Sequence, residues 1–89
     1  MEAQIIDIHD AEEQERYSIQ KAINTGMAWM VEGSYGRIAM DYINAGACVL
    51  GEEPTKDYWG NRIPSRYEVE PGTKGSVEYA NAKGWDPFL

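Results

Sequence analysis

The chain has 89 residues and a mass of 10.0 kDa, and its eight basic and fifteen acidic side chains give a net charge of −7. A chain of this size buries about 64% of its extended surface on folding, enough for one modest core and not for two domains. Its hydrophobic fraction of 43% and charged fraction of 26% are those of a globular protein, and the acidic balance argues against a general nucleic-acid binder.

Gln4-Ile5-Ile6-Asp7-Ile8 is β-branched but short, and reads as an edge strand or a frayed terminus. Asp10-Ala11-Glu12-Glu13 reads as a helix start, with Asp10 at the N-cap, Glu13 at the reciprocal capping position and an acidic first turn that suits the helix dipole. Ile19, Ala22, Ile23, Gly26 or Met27, and Met30 then recur at helical spacing, with a kink or break expected near Thr25-Gly26. Gly33 suits the end of this helix and Ser34 the N-cap of the next. Tyr35, Ile38, Ala39, Tyr42, Ile43 and Gly46 form a second stripe, ending near Asn44-Ala45-Gly46. Residues 10–46 are therefore predicted to form an amphipathic αα-hairpin, with Ile38, Tyr42 and Ile43 buried against Ile19, Ile23 and Met30.

Residues 52–89 are punctuated by Pro54, Gly60, Pro64, Pro71, Gly72 and Gly75, which excludes long helices. Asp57-Tyr58-Trp59-Gly60-Asn61-Arg62 reads as a turn bearing two large aromatics. Arg66-Tyr67-Glu68-Val69-Glu70 alternates as a short strand would. Residues 76–84 read as a last short helix, capped at Thr73 or Ser76 and stopped by Gly84, with Trp85, Pro87 and Phe88 as an apolar tail. The expected fold is a single α+β domain, mostly α.

No apolar run approaches the length of a membrane span, and the Met-Glu-Ala-Gln start is acidic, so neither a span nor a secretory leader is expected. Cys48 is the single cysteine, which excludes an intrachain disulfide and suits a reducing compartment. One His and one Cys do not make a zinc site, and no cofactor is expected. A Cys-His nucleophile would have to use His9 and Cys48, but the run Ala47-Cys48-Val49-Leu50 reads Cys48 as a small buried hydrophobe. No nucleophile elbow, metalloprotease helix or dinucleotide fingerprint is present, so the chain is not expected to be an enzyme.

Three stretches are candidate sites. Residues 1–33 hold seven acids against two bases, whereas residues 34–89 hold eight against six. Glu12, Glu13 and Glu15 would be the contact surface if the chain mimicked a nucleic acid, but an acidic first turn also needs no such role. Pro71-Gly72-Thr73-Lys74-Gly75-Ser76 has the ingredients of an anion nest without P-loop spacing, but capping and turn chemistry explain it fully. The most informative stretch runs from Asp57 to Tyr67. It gathers Tyr58, Trp59, Arg62, Arg66 and Tyr67, with Lys74 nearby, and aromatics and Arg are the residue types that dominate binding hot spots. Its alternative use is to cap the small helical core with Tyr58 and Trp59, with Arg62 and Arg66 pairing the local acids.

The runs Glu32-Gly33-Ser34-Tyr35-Gly36-Arg37, Asp57 to Arg66 and Pro71 to Ser76 make the middle and end of the chain resemble small accessory proteins of tailed double-stranded DNA phages. The resemblance implies a setting and no residue roles. Such proteins bind and inhibit host factors, defence systems among them, or help in virion assembly, within the cytoplasm of a bacterial host. The leading expectation is a non-catalytic protein-binding accessory factor, a phage inhibitor of a host protein, with homo-oligomers possible and no membrane or direct nucleic-acid partner. The alternatives are an acidic nucleic-acid mimic, a small nucleotide- or anion-binding protein, and a virion assembly component.

Overall fold

A computed structural model describes residues 8–31 and 34–87, with side chains from residue 13 onward. The fold is mostly helical, with one two-stranded antiparallel sheet: α1 (Ile8–Thr25), α2 (Met27–Met30), α3 (Tyr35–Ala45), β1 (Thr55–Lys56), β2 (Arg62–Ile63) and α4 (Val77–Ala82). None of these helices is long and apolar enough to cross a membrane. Residues 4–7 of the N-terminal apolar segment lie outside the described residues; Ile8 is already helical, which places Asp10 inside the first turn of α1 rather than at its N-cap.

The expected break falls at Gly26, whose φ of +86° suits a residue without a side chain. A Cβ there would also lie 3.1 Å from Thr55 Oγ1, so β1 crosses directly over the break. The break resets the helical phase. Ala28 and Trp29 turn into the core, while Met27 and Met30 are exposed, so the predicted contact of Met30 with α3 is not made. Ile19 and Ile23 pack with Ala39 and Ile43 as expected, and Tyr35, Ile38 and Tyr42 flank that core half-buried. Ser34 occupies the N-cap of α3 without a side-chain hydrogen bond. At the other end Gly46 adopts the left-handed conformation and its N–H closes the helix on Ile43 O.

After Gly46 the chain enters the core as an extended strap, Ala47-Cys48-Val49-Leu50-Gly51, buried throughout. Buried backbone needs partners, and among the described residues no strand supplies them. Side chains do. Arg16 Nε donates to Ala47 O (2.8 Å). Gln20 Nε2 donates to Val49 O (2.9 Å), while its Oε1 accepts from Val49 N–H (2.8 Å). Arg66 Nε donates to Leu50 O (2.8 Å), and the Arg66 N–H reaches Gly51 O (2.8 Å). Leu50 N–H donates to Gly75 O (3.0 Å), where a Cβ would lie 2.6 Å from Leu50 Cδ1. Among the described residues, no buried side-chain nitrogen or oxygen lacks a partner.

The predicted strand over residues 66–70 does not form. Ser65 and Glu68 fold that stretch into a turn instead: Glu68 N–H donates to Ser65 O, Tyr67 N–H to Ser65 Oγ and Ser65 N–H to Glu68 Oε1. The strands lie on either side of the aromatic turn, pairing Thr55 with Ile63 and Lys56 with Arg62. The last helix is capped as expected by Ser76, whose Oγ accepts from Tyr79 N–H (3.1 Å). Its Ala80 is buried, and Tyr79 Oη donates to Asn44 O, docking α4 on the end of α3.

Candidate functional site

The turn between β1 and β2 is organised by Asp57. Its Oδ1 accepts from Trp59 N–H (2.9 Å) and Asn61 N–H (2.8 Å), and its Oδ2 accepts from Asn61 Nδ2 (3.2 Å). Desolvation works against the charged carboxylate, but these hydrogen bonds together with one from Gly60 outweigh it and hold the Asp57 pKa below its ordinary value. Gly60, at φ +87°, completes the reversal.

This turn lifts Trp59 away from the core: 73% of its surface is exposed. Tyr58 meets it edge to face at a centroid distance of 5.2 Å. The reading of Tyr58 and Trp59 as caps over the helical core is therefore corrected for Trp59; Trp29, buried at 6% exposure, fills that place. Beneath the tip lies a groove of about 330 Å³ between the hairpin and the α2–α3 corner. Trp29, Val31, Met40, Trp59 and Ile63 give it apolar walls, and Arg37 and Asp57 border it. Val31 and Met40 are themselves exposed. Arg37 is exposed too and has no hydrogen bond or ion pair among the described residues.

The predicted contact residues divide into three groups. Tyr58, Trp59 and Tyr67 are presented to solvent. Arg62 is exposed but held by Glu68 at 2.8 Å, and that hydrogen bond lowers the Glu68 pKa and raises that of Arg62. Arg66 leaves the set, because it is 5% exposed and its guanidinium serves Leu50 O and Asn24 Oδ1. Lys74 is exposed on its loop, and no hydrogen bond or ion pair among the described residues ties it to the hairpin tip.

Residues 71–76 follow the capping and turn reading rather than that of an anion nest. The N–H groups of Gly72, Thr73 and Ser76 already donate to Ser76 Oγ, Glu70 O and Thr73 O, so the loop caps α4. Of the acidic alternative, Glu13 and Glu15 are exposed on α1, and the Glu12 side chain lies outside the described residues. Cys48 is buried as expected, and burial pushes its thiol up to about 11 against a smaller opposing pull from Arg16. The His9 side chain lies outside the described residues.

Arg37, Met40, Val31 and Trp29 are the groove residues that sequence reasoning passed over. The available signal was Met40, an apolar residue on the polar side of the α3 stripe.

Neither a curated protein nor a solved structure matches this chain. A family model, described as a domain of unknown function (DUF7417), matches residues 4–62, which include α1 to α3, the buried strap, β1 and the turn with Trp59. That match spans well over half of the 89 residues, and the chain belongs to the DUF7417 family.

Proposed function

We propose that this protein is a non-catalytic protein-binding factor whose recognition surface is the hairpin tip with the groove beneath it. One observation carries the reading: Trp59 stays 73% exposed on a turn pinned by the Asp57 carboxylate, beside apolar walls that the protein's own core leaves uncovered. A large aromatic fixed in solvent offers contact area with little ordering cost on binding. Arg37 at the border, with no ion pair among the described residues, asks for a carboxylate. The partner surface is thus a protein segment with an apolar or aromatic side chain next to an acidic one. The resemblance to phage accessory proteins makes a bacterial host protein the occupant, with inhibition of that protein as the outcome.

The test uses wild-type, Trp59→Ala and Arg62→Ala proteins as affinity baits in a bacterial lysate, with thermal stability measured on the same samples. The wild type should retain a host protein that Trp59→Ala loses, with affinity weakened by at least about thirtyfold and melting little changed. A Trp59→Ala protein that is folded and binds that protein normally refutes the reading. Loss on reversing Glu12, Glu13 and Glu15 to Lys, with Trp59→Ala unaffected, would move the function to the acidic face of α1.

A further inference from the structure

We infer that the resting occupant of the groove is a second copy of this chain, which inserts its own hairpin tip there. The inference rests on the reading of this face as a protein-binding surface and names the partner that fits it first. The required chemistry is an aromatic or apolar side chain next to a carboxylate, and Asp57-Tyr58-Trp59 in this same chain has that order, with Asp57 half-buried, Tyr58 and Trp59 exposed, and all three held by the turn. A two-fold interface must be self-complementary, because residue i of one copy meets residue j of the other and the reverse. The face meets that condition in shape and in charge. Trp59 projects beside a groove of about 330 Å³. Arg37, without an ion pair among the described residues, and Asp57, which stays ionised, border the same groove, so each copy offers one cation and one anion. Two hydrogen bonds fall on Asp57 Oδ1 and one, from Asn61 Nδ2, on Oδ2, so Oδ2 keeps an acceptor position for a guanidinium. The chain as a whole carries −7, so two copies repel over most of their surfaces. Here the opposite charges cancel. A host protein that takes the groove then competes with self-association, and the dimer keeps Trp59 covered until it does.

The test is sedimentation equilibrium of the full chain from low micromolar to near-millimolar concentration. The expected result is a reversible dimer at twice the 10.0 kDa chain mass. Trp59→Ala should weaken it by at least about thirtyfold. Met40→Glu and Arg37→Glu should weaken it as well, with melting temperatures unchanged at concentrations where the chain is monomeric, because all three side chains are exposed in the monomer. Tyr67→Ala, equally exposed but outside the groove, should leave it unaltered. A monomer at every concentration overturns the inference, and so does a dimer that ignores Trp59→Ala and Met40→Glu or weakens as much with Tyr67→Ala. A monomer that still captures a host protein through Trp59 overturns this inference alone and leaves the protein-binding reading in place.

Discussion

Replacing Gln20 with Met should destabilise this protein severely, although the side chain keeps almost the same length and volume. Gln20 is 1% exposed and Val49 is fully buried. The amide of Gln20 satisfies both backbone groups of Val49, at 2.8 and 2.9 Å, and also donates to Asn24 Oδ1. With Met in place, the Val49 N–H and C=O lose those partners where water does not reach them. An unsatisfied buried group costs about 1–3 kcal/mol, so the two together cost about 2–6 kcal/mol. A domain of this length has about 4–13 kcal/mol of stability in all. The melting temperature should therefore fall by at least about 8 °C, at about 4–8 °C per kcal/mol. Urea and thermal unfolding followed by far-UV circular dichroism measure the loss. Gln20→Glu provides the internal control. It keeps an acceptor for Val49 N–H but sets a second acceptor against Val49 O, so it should regain stability in acid, where a protonated carboxyl restores the donor. A Gln20→Met protein within about 0.5 kcal/mol of wild type would refute the claim that the strap hangs on this amide.

Gly75→Ala should cost at least about 1 kcal/mol more than Gly72→Ala in chemical denaturation. Both have positive φ, but only a Cβ at Gly75 meets Leu50, at 2.6 Å. The Cys48 thiol should resist alkylation at neutral pH until denaturant is added. Because the folded thiol keeps its proton up to about 11 and the ordinary value is 9.0, Cys48 favours the fold below pH 9, and that contribution fades as pH rises towards 11; Cys48→Ala should flatten this decline in a pH series of melting curves. Ile43→Ala should cost about 2–5 kcal/mol in urea titrations and Ile38→Ala less, since Ile43 is 2% exposed and Ile38 half-buried.

The helices were legible because their signals are local. Ser76 caps within its own next turn, Gly46 closes α3 through its own φ, and the stripes of Ile19 and Ile23 against Ala39 and Ile43 follow from periodicity alone. What was not legible depends on long-range pairing. Arg16, Gln20 and Asn24 recur every four residues and look like a solvated row, yet Arg16 and Gln20 are buried and all three serve the interior. A non-alternating apolar run after a helix-closing glycine was the available clue. Its backbone had to be satisfied by something, and the neighbouring polar row of α1 was the nearest supply. Residues 66–70 misled for the complementary reason. Alternation makes a strand only where an edge exists to pair with, and here Ser65 and Glu68 offered a turn instead. At the candidate site, Trp59 was legible by residue type, but the groove joins residues from α2, α3 and the hairpin and had no signature in any one segment.

The same buried polar row explains why Trp59 stands where it does. Gln20 and Arg66 fix the strap at Val49 and Leu50, and the strap fixes the point at Gly51 from which the chain leaves the core. From there Thr55 crosses Gly26 and Ile63 packs on the core, so both strands of the hairpin are anchored at their bases. Only the tip between them overhangs, and Asp57 makes it stiff. A recognition element that is rigid but unburied needs this division, because burial at the base supplies the rigidity that contact at the tip exploits. On the proposed function, two kinds of substitution impair binding for different reasons. Changes at Trp59 remove contact area and leave stability nearly intact, whereas changes at Gln20 or Arg66 shift the base of the hairpin and lose stability and binding together. In the proposed function Trp59 acts at the interface, and the α1 polar row acts through the fold that carries it.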